Sequence, residues 1–104
     1  RAKALTMLGA PLSSAEDESM GLIHLASRED EFDNDVNRLS QTLANMPTKG
    51  LGMTKKALHA GLTNSLEEQL RLELDLQFQA AETSDYAEGV AAFLEKRAPK
   101  FKGQ

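Results

Sequence analysis

A mainly α chain of about five to six helices, with at most one short strand, is the fold class this sequence predicts. Three observations carry it. Phe32, Val36, Leu39, Leu43 and Met46 recur at spacings of 4, 3, 4 and 3, the rhythm of one helical stripe. Ser13 with Glu16 and Ser65 with Glu68 have the serine-to-glutamate spacing of a capping box, which satisfies two orphan amides at a helix start. No β-branched residue occurs from Leu66 to Ala81, so the longest apolar stretch is built from helix-forming side chains.

The elements follow in order. Ala4, Leu5 and Leu8 have helical spacing, and Gly9 with Pro11 beyond it predicts a helix end. Ser13 with Glu16, or Ser14 with Asp17, opens a helix of about two turns that stops at Gly21. Leu22 to Ala26 is the one short strand candidate, and Ser27 followed by Asp30 has the spacing of a cap for the next helix. Pro47 ends that helix and suits the first position of another, which runs to about Leu62 and is weakened at its start by Gly50 and Gly52. Thr63, Asn64 and Ser65 form a turn and cap.

Between Leu70 and Phe78 two readings compete, because Leu70, Leu72, Leu74, Leu76 and Phe78 alternate strictly with polar residues as a half-buried strand would. Residue type decides for helix. On a helix, Leu66, Leu70, Leu74, Phe78 and Ala81 share one side, while Leu72, Leu76 and Ala80 widen the apolar arc until it needs partners on two sides. A final helix opens at Ser84 or Asp85, carries Tyr86, Val90, Phe93 and Leu94 on one face, and ends before Pro99.

Composition narrows the function. With 104 residues the chain can form one domain with a modest core, and 40% hydrophobic with 27% charged residues is ordinary globular usage. There is no cysteine, which removes disulfides, thiolate metal sites and cysteine nucleophiles. No apolar run approaches the length of a membrane span and no signal peptide is recognisable, so a soluble, cytoplasmic protein without membrane contact is expected. The first residue is Arg1 rather than Met, which fits a fragment. Of the 12 basic groups, Lys96, Arg97, Lys100 and Lys102 fall in the last nine residues, leaving 8 against 16 acidic groups. The acidic body argues against a nucleic-acid partner; the basic tail suits a local phosphate or complements a helix C-terminus.

No self-contained active site can be written. His24 and His59 lack any metal-ligand spacing, so no metal is expected. Gly50 and Gly52 follow no strand and form no phosphate loop. The acidic runs Glu16 to Glu18 and Glu29 to Glu31 lie at helix starts, where they meet the positive end of the dipole. Ser13, Ser14 and Ser65 are accounted for as caps, and no catalytic residue is assigned.

Resemblance adds what composition withholds. The run from Met46 to Leu58, MPTKGLGMTKKAL, is similar to a segment of the enoyl-CoA hydratase/isomerase (crotonase) family, and so are SLEEQL from Ser65 and SDYAEGVAAFLEKR from Ser84 to Arg97, followed by Pro99, Phe101 and Gly103. The tail and the run Leu8 to Ser13 most resemble the phenylacetate-degradation branch, the 2-(1,2-epoxy-1,2-dihydrophenyl)acetyl-CoA isomerases. This resemblance implies the C-terminal helical region of a ClpP/crotonase-like fold, in which residues 1–46 end the crotonase core and residues 47–104 form a helical region for oligomer contacts and closure over CoA. It implies a homo-oligomeric parent enzyme, a trimer or dimer of trimers, acting on an acyl-CoA thioester with no prosthetic group. Its oxyanion amides and acid/base carboxylates would lie upstream of Arg1, leaving the 104 residues inactive alone. By position, Phe93 and Lys96 would touch the adenosine end of CoA.

A departure from the family pattern falls at Asp17 and Met20, where small or aromatic residues are usual. A buried, unpaired Asp17 would break the match there, because a lone buried ion is expensive. From a different class comes the alternative of a stand-alone helical interaction module that offers Leu72, Leu76 and Ala80 to a partner helix.

Overall fold

A computed structural model describes residues 1–104 and contains six helices and no strand. They are α1 (Ala2–Leu8), α2 (Ser14–Met20), α3 (Phe32–Ala44), α4 (Thr48–Ala60), α5 (Leu66–Ala81) and α6 (Ser84–Leu94). None is long and apolar enough to cross a membrane. The chain divides into two compact units, Arg1–Val36 and Asn37–Gln104, with the division inside α3.

In the first unit α1 ends at Gly9 and α2 at Gly21, both with left-handed backbone (φ 62° and 77°) that glycine adopts without a Cβ penalty. Ser13, rather than Ser14, caps α2. Its hydroxyl accepts the Glu16 N–H at 3.3 Å while its own N–H donates to the Glu16 carboxylate at 2.9 Å. The Ser13 N–H, and then the Ser13 hydroxyl, which also donates to this carboxylate at 2.7 Å, hold the Glu16 carboxyl below its ordinary pKa. Asp17 is half-buried rather than enclosed, so the penalty that would count against the match at this position does not arise.

Two local expectations give way. The segment from Leu22 to Ala26 is bend and coil, because a strand is completed by a ladder and no other segment of the chain pairs with it. The Leu22 N–H instead bonds back to the Asp17 carbonyl at 2.9 Å, and the Ala26 N–H donates to the Glu18 carboxylate at 3.2 Å. Ser27 and Asp30 do not cap α3. Arg28 takes Asp30 into an ion pair at 3.1 Å and a turn closes from the Glu31 N–H to the Arg28 carbonyl at 3.0 Å, so the helix starts at Phe32.

In the second unit α5 packs against both α4 and α6. The alternating segment is helical throughout, opened by the Ser65–Glu68 capping box with bonds of 2.8 and 3.3 Å. Residue propensity and cap outweigh period-two alternation here, since each side of a helix this apolar can meet something different. The narrower face is the one used internally. Leu76 is 6% exposed, and with Ala80 it lines a groove with Leu51, Ala57 and Leu58 of α4. Two members of the partner-helix face of the stand-alone module, Leu76 and Ala80, are thus already turned to α4. On the opposite side Leu66, Leu70, Leu74 and Phe78 lie open, Phe78 at 64%. The α4–α5 turn is fixed by Gln69, whose side-chain amide donates to the Ala57 carbonyl at 3.1 Å and accepts from Asn64 at 3.0 Å.

Candidate functional site

α6 and the tail that follows it make one local device. Thr83 caps the helix, its hydroxyl accepting the Tyr86 N–H at 3.1 Å. The other end closes in a Schellman motif, with the Lys96 N–H bonded to the Phe93 carbonyl at 3.2 Å and the Arg97 N–H to the Ala92 carbonyl at 3.0 Å. That motif needs a left-handed residue at its pivot. Here the pivot is Lys96, with φ 54°, and it is the chain's one non-glycine residue of positive φ. A side chain at such a position costs about 1–2 kcal/mol.

Arg97 locks the turn. Its guanidinium forms a two-pronged pair with Glu88, at 2.6 and 2.9 Å, and its Nε donates to Glu95 at 2.6 Å. The Lys100 N–H donates to the same Glu88 carboxylate at 2.7 Å. Glu88 is held far below its usual range, at about 2, first by the Arg97 hydrogen bonds and then by the Lys100 amide. Arg97 is pushed up in turn by Glu88 and Glu95.

Beyond Pro99 the chain returns along α6 toward its start. Asp85, 3% exposed, accepts the Lys102 N–H and the Gly103 N–H at 2.7 Å each and the Gln104 N–H at 3.3 Å. The Gln104 carbonyl accepts from the Asp85 N–H at 3.1 Å and from the Ser84 hydroxyl at 3.0 Å. Between these anchors Phe101 lies over Gly89, where an added Cβ would meet its ring at 3.6 Å. Gly103 is left-handed (φ 73°) and its Cα faces the Thr48 hydroxyl too closely to admit a side chain.

Phe93 and Lys96 therefore sit on the last turn of α6 and on the pivot just past it. Phe93 is 82% exposed and, with Tyr86, Val90, Leu94 and Phe101, lines an open apolar groove of about 420 Å³. The side chain of Lys96 has no hydrogen bond or ion pair within the chain, whereas the adjacent Arg97 is fully engaged by carboxylates. Of the two adjacent cations, Arg97 is paired and Lys96 is not. No three His, Asp or Glu side chains converge as a metal site would require.

Sequence reasoning read Asp85 only as a helix opener and Arg97 only as part of the basic tail, and gave Glu88 and Phe101 no role beyond the family-like run. The signal was present: Asp85, Glu88, Gly89 and Ala92 follow one another at helical spacing, placing two carboxylates and two small residues on a single face.

The enoyl-CoA hydratase/isomerase family profile matches residues 1–104, the full length of the sequence. This chain belongs to that family. It is 40% identical over 104 residues to the 1,2-epoxyphenylacetyl-CoA isomerase of Escherichia coli K12, and 38% identical over 104 residues to a probable enoyl-CoA hydratase of Rhodobacter capsulatus. Each match covers 100% of this chain and 40% of the relative, so the chain spans about two fifths of the length of these curated relatives. Among solved structures, an enoyl-CoA hydratase subunit from Geobacillus kaustophilus superposes with a TM-score of 0.90 at 30% identity, over 100% of this chain and 41% of that one. One from Streptomyces coelicolor A3(2) superposes at 0.84 with 36% identity, over 94% and 36%. The six helices are thus a portion of a crotonase fold.

Proposed function

We propose that these residues are the C-terminal part of an acyl-CoA hydratase or isomerase and that the end of α6 holds the nucleotide end of a CoA thioester. One observation carries the reading: Lys96 is presented unpaired on a left-handed pivot next to the exposed ring of Phe93. A lysine is a compact point charge suited to a phosphate, and a phenylalanine offers a face on which a purine can stack. The reaction itself belongs to residues outside these 104, which would supply amides for the thioester enolate and carboxylates that move its protons. CoA enters as substrate, with no prosthetic group.

Within this reading residues 1–46 finish the core and residues 47–104 form the closing and oligomer-building region of a cytoplasmic homo-oligomer, a trimer or dimer of trimers. The open row Leu66, Leu70, Leu74 and Phe78 supports that role, since contiguous apolar surface of this kind is ordinarily covered by protein. The phenylacetate branch is favoured by the 40% identity to the 1,2-epoxyphenylacetyl-CoA isomerase.

The test has two arms. The isolated 104 residues give no hydration or isomerisation of an enoyl-CoA, and measurable turnover overturns the assignment of chemistry to residues outside them. In the full-length protein, Lys96→Ala weakens CoA binding by roughly 1–3 kcal/mol, the loss of one charged hydrogen bond. An unchanged Kd returns Lys96 to the role of a helix-end charge.

A further inference from the structure

A lysine at a Schellman pivot is an unfavourable choice, because the left-handed conformation is disfavoured for any residue with a Cβ and is usually given to glycine. Such a conformation persists only where its surroundings fix it. Around Lys96 the surroundings are specific. Arg97, the next residue, reaches across to Glu88 through two parallel hydrogen bonds of 2.6 and 2.9 Å, and is steadied from behind by Glu95 at 2.6 Å. Glu88 belongs to the preceding body of α6, two helical turns before the pivot, and its carboxylate also takes the Lys100 N–H at 2.7 Å. The two sides of the pivot are therefore tied to one carboxylate.

The geometry points to Glu88 as a positioning residue, which acts through Arg97 and the Lys100 amide to hold the turn that presents Lys96 to a phosphate of the substrate. This inference rests on the reading of Lys96 given above. Glu88 touches no ligand itself.

The experiment is a double-mutant cycle on the full-length protein, read with two substrates: a CoA thioester, and the matching pantetheine thioester, which lacks the nucleotide phosphates. With the CoA thioester, Lys96→Ala is expected to raise KM about tenfold, the size of one charged hydrogen bond. Glu88→Gln is expected to raise it about three- to tenfold with kcat held within about twofold, and to add less than about twofold in the Lys96→Ala background, since residues that act as a unit are not additive. With the pantetheine thioester Glu88→Gln leaves KM unchanged. If Glu88→Gln raises KM equally for both substrates, or equally with and without Lys96, the residue merely supports the fold and the inference falls. Arg97→Lys, which keeps the charge but cannot span the carboxylate, gives the same readout should Glu88→Gln fail to accumulate. A Lys96→Ala variant with unchanged KM sinks the reading of Lys96 itself, whereas an effect of Lys96→Ala with none from Glu88→Gln or Arg97→Lys sinks only the positioning role.

Discussion

Replacing Asp85 by alanine tests the returning tail most directly. The carboxylate is 3% exposed and accepts three main-chain N–H groups, two of them at 2.7 Å and the third at 3.3 Å. A hydrogen bond to a charged group contributes about 1.5–3 kcal/mol, so the two short bonds alone amount to roughly 3–6 kcal/mol if nothing relaxes. The tail can relax, by lifting away and exchanging the lost acceptor for water, which caps the effect near the docking free energy of residues 101–104. We therefore expect the low end, about 3 kcal/mol, or roughly a hundredfold. Native-state hydrogen exchange reads this locally, because the Lys102 and Gly103 amides report tail opening whatever the rest of the protein does. Both amides should exchange about a hundredfold faster in Asp85→Ala. Asp85→Asn should lie close to the alanine variant, because one carboxylate oxygen becomes an NH2 group facing an N–H donor. Exchange within about threefold of the parent in both variants would refute the clamp.

Three further outcomes follow from the same geometry. Glu88 has its carboxyl depressed from 4.5 to about 2, so its contribution is complete above the unfolded value and is lost as the pH falls from about 4.5 toward 2; an NMR titration of its carboxyl carbon should have a midpoint near 2, and a midpoint near 4.5 would break the Arg97 assignment. Leu76→Ala, at the most enclosed leucine of the second unit, should cost about 2–5 kcal/mol in the protection of α4 and α5 amides, and a loss below 1 kcal/mol would mean that the two helices are not held by this contact. Lys96→Gly should stabilise the last turn of α6 relative to Lys96→Ala by about 1 kcal/mol, seen as slower exchange of the Lys96 and Arg97 amides; equal rates would mean that the pivot carries no strain.

How much of this could be read from residues alone depends on the range of the interaction. Helices were legible because their determinants lie within four positions: the Ser13–Glu16 and Ser65–Glu68 boxes form as written. The alternating leucines of α5 were resolved by side-chain type, and the structure shows why both apolar sides exist, one meeting α4 and the other left open. The expected strand at Leu22 to Ala26 was not decidable locally, since ladder partners are distant in sequence. Phe93 and Lys96 entered through family resemblance, and no helical periodicity would have singled out a residue beyond the last turn. The tail clamp was hidden for a different reason: Asp85 and Glu88 bind main-chain amides 12 to 19 residues away, and an amide leaves no trace in side-chain identity.

That last feature has a practical corollary for anyone editing residues 102–104. Removal of residues 102–104 would take all three main-chain donors from the Asp85 carboxylate and leave it to water. Because the recognition is of backbone, the letters at 102 and 104 are free to drift while the length is not. An insertion behind Gln104 should keep every one of these amides, whereas deletion of residues 102–104 should act like a mutation in the first turn of α6.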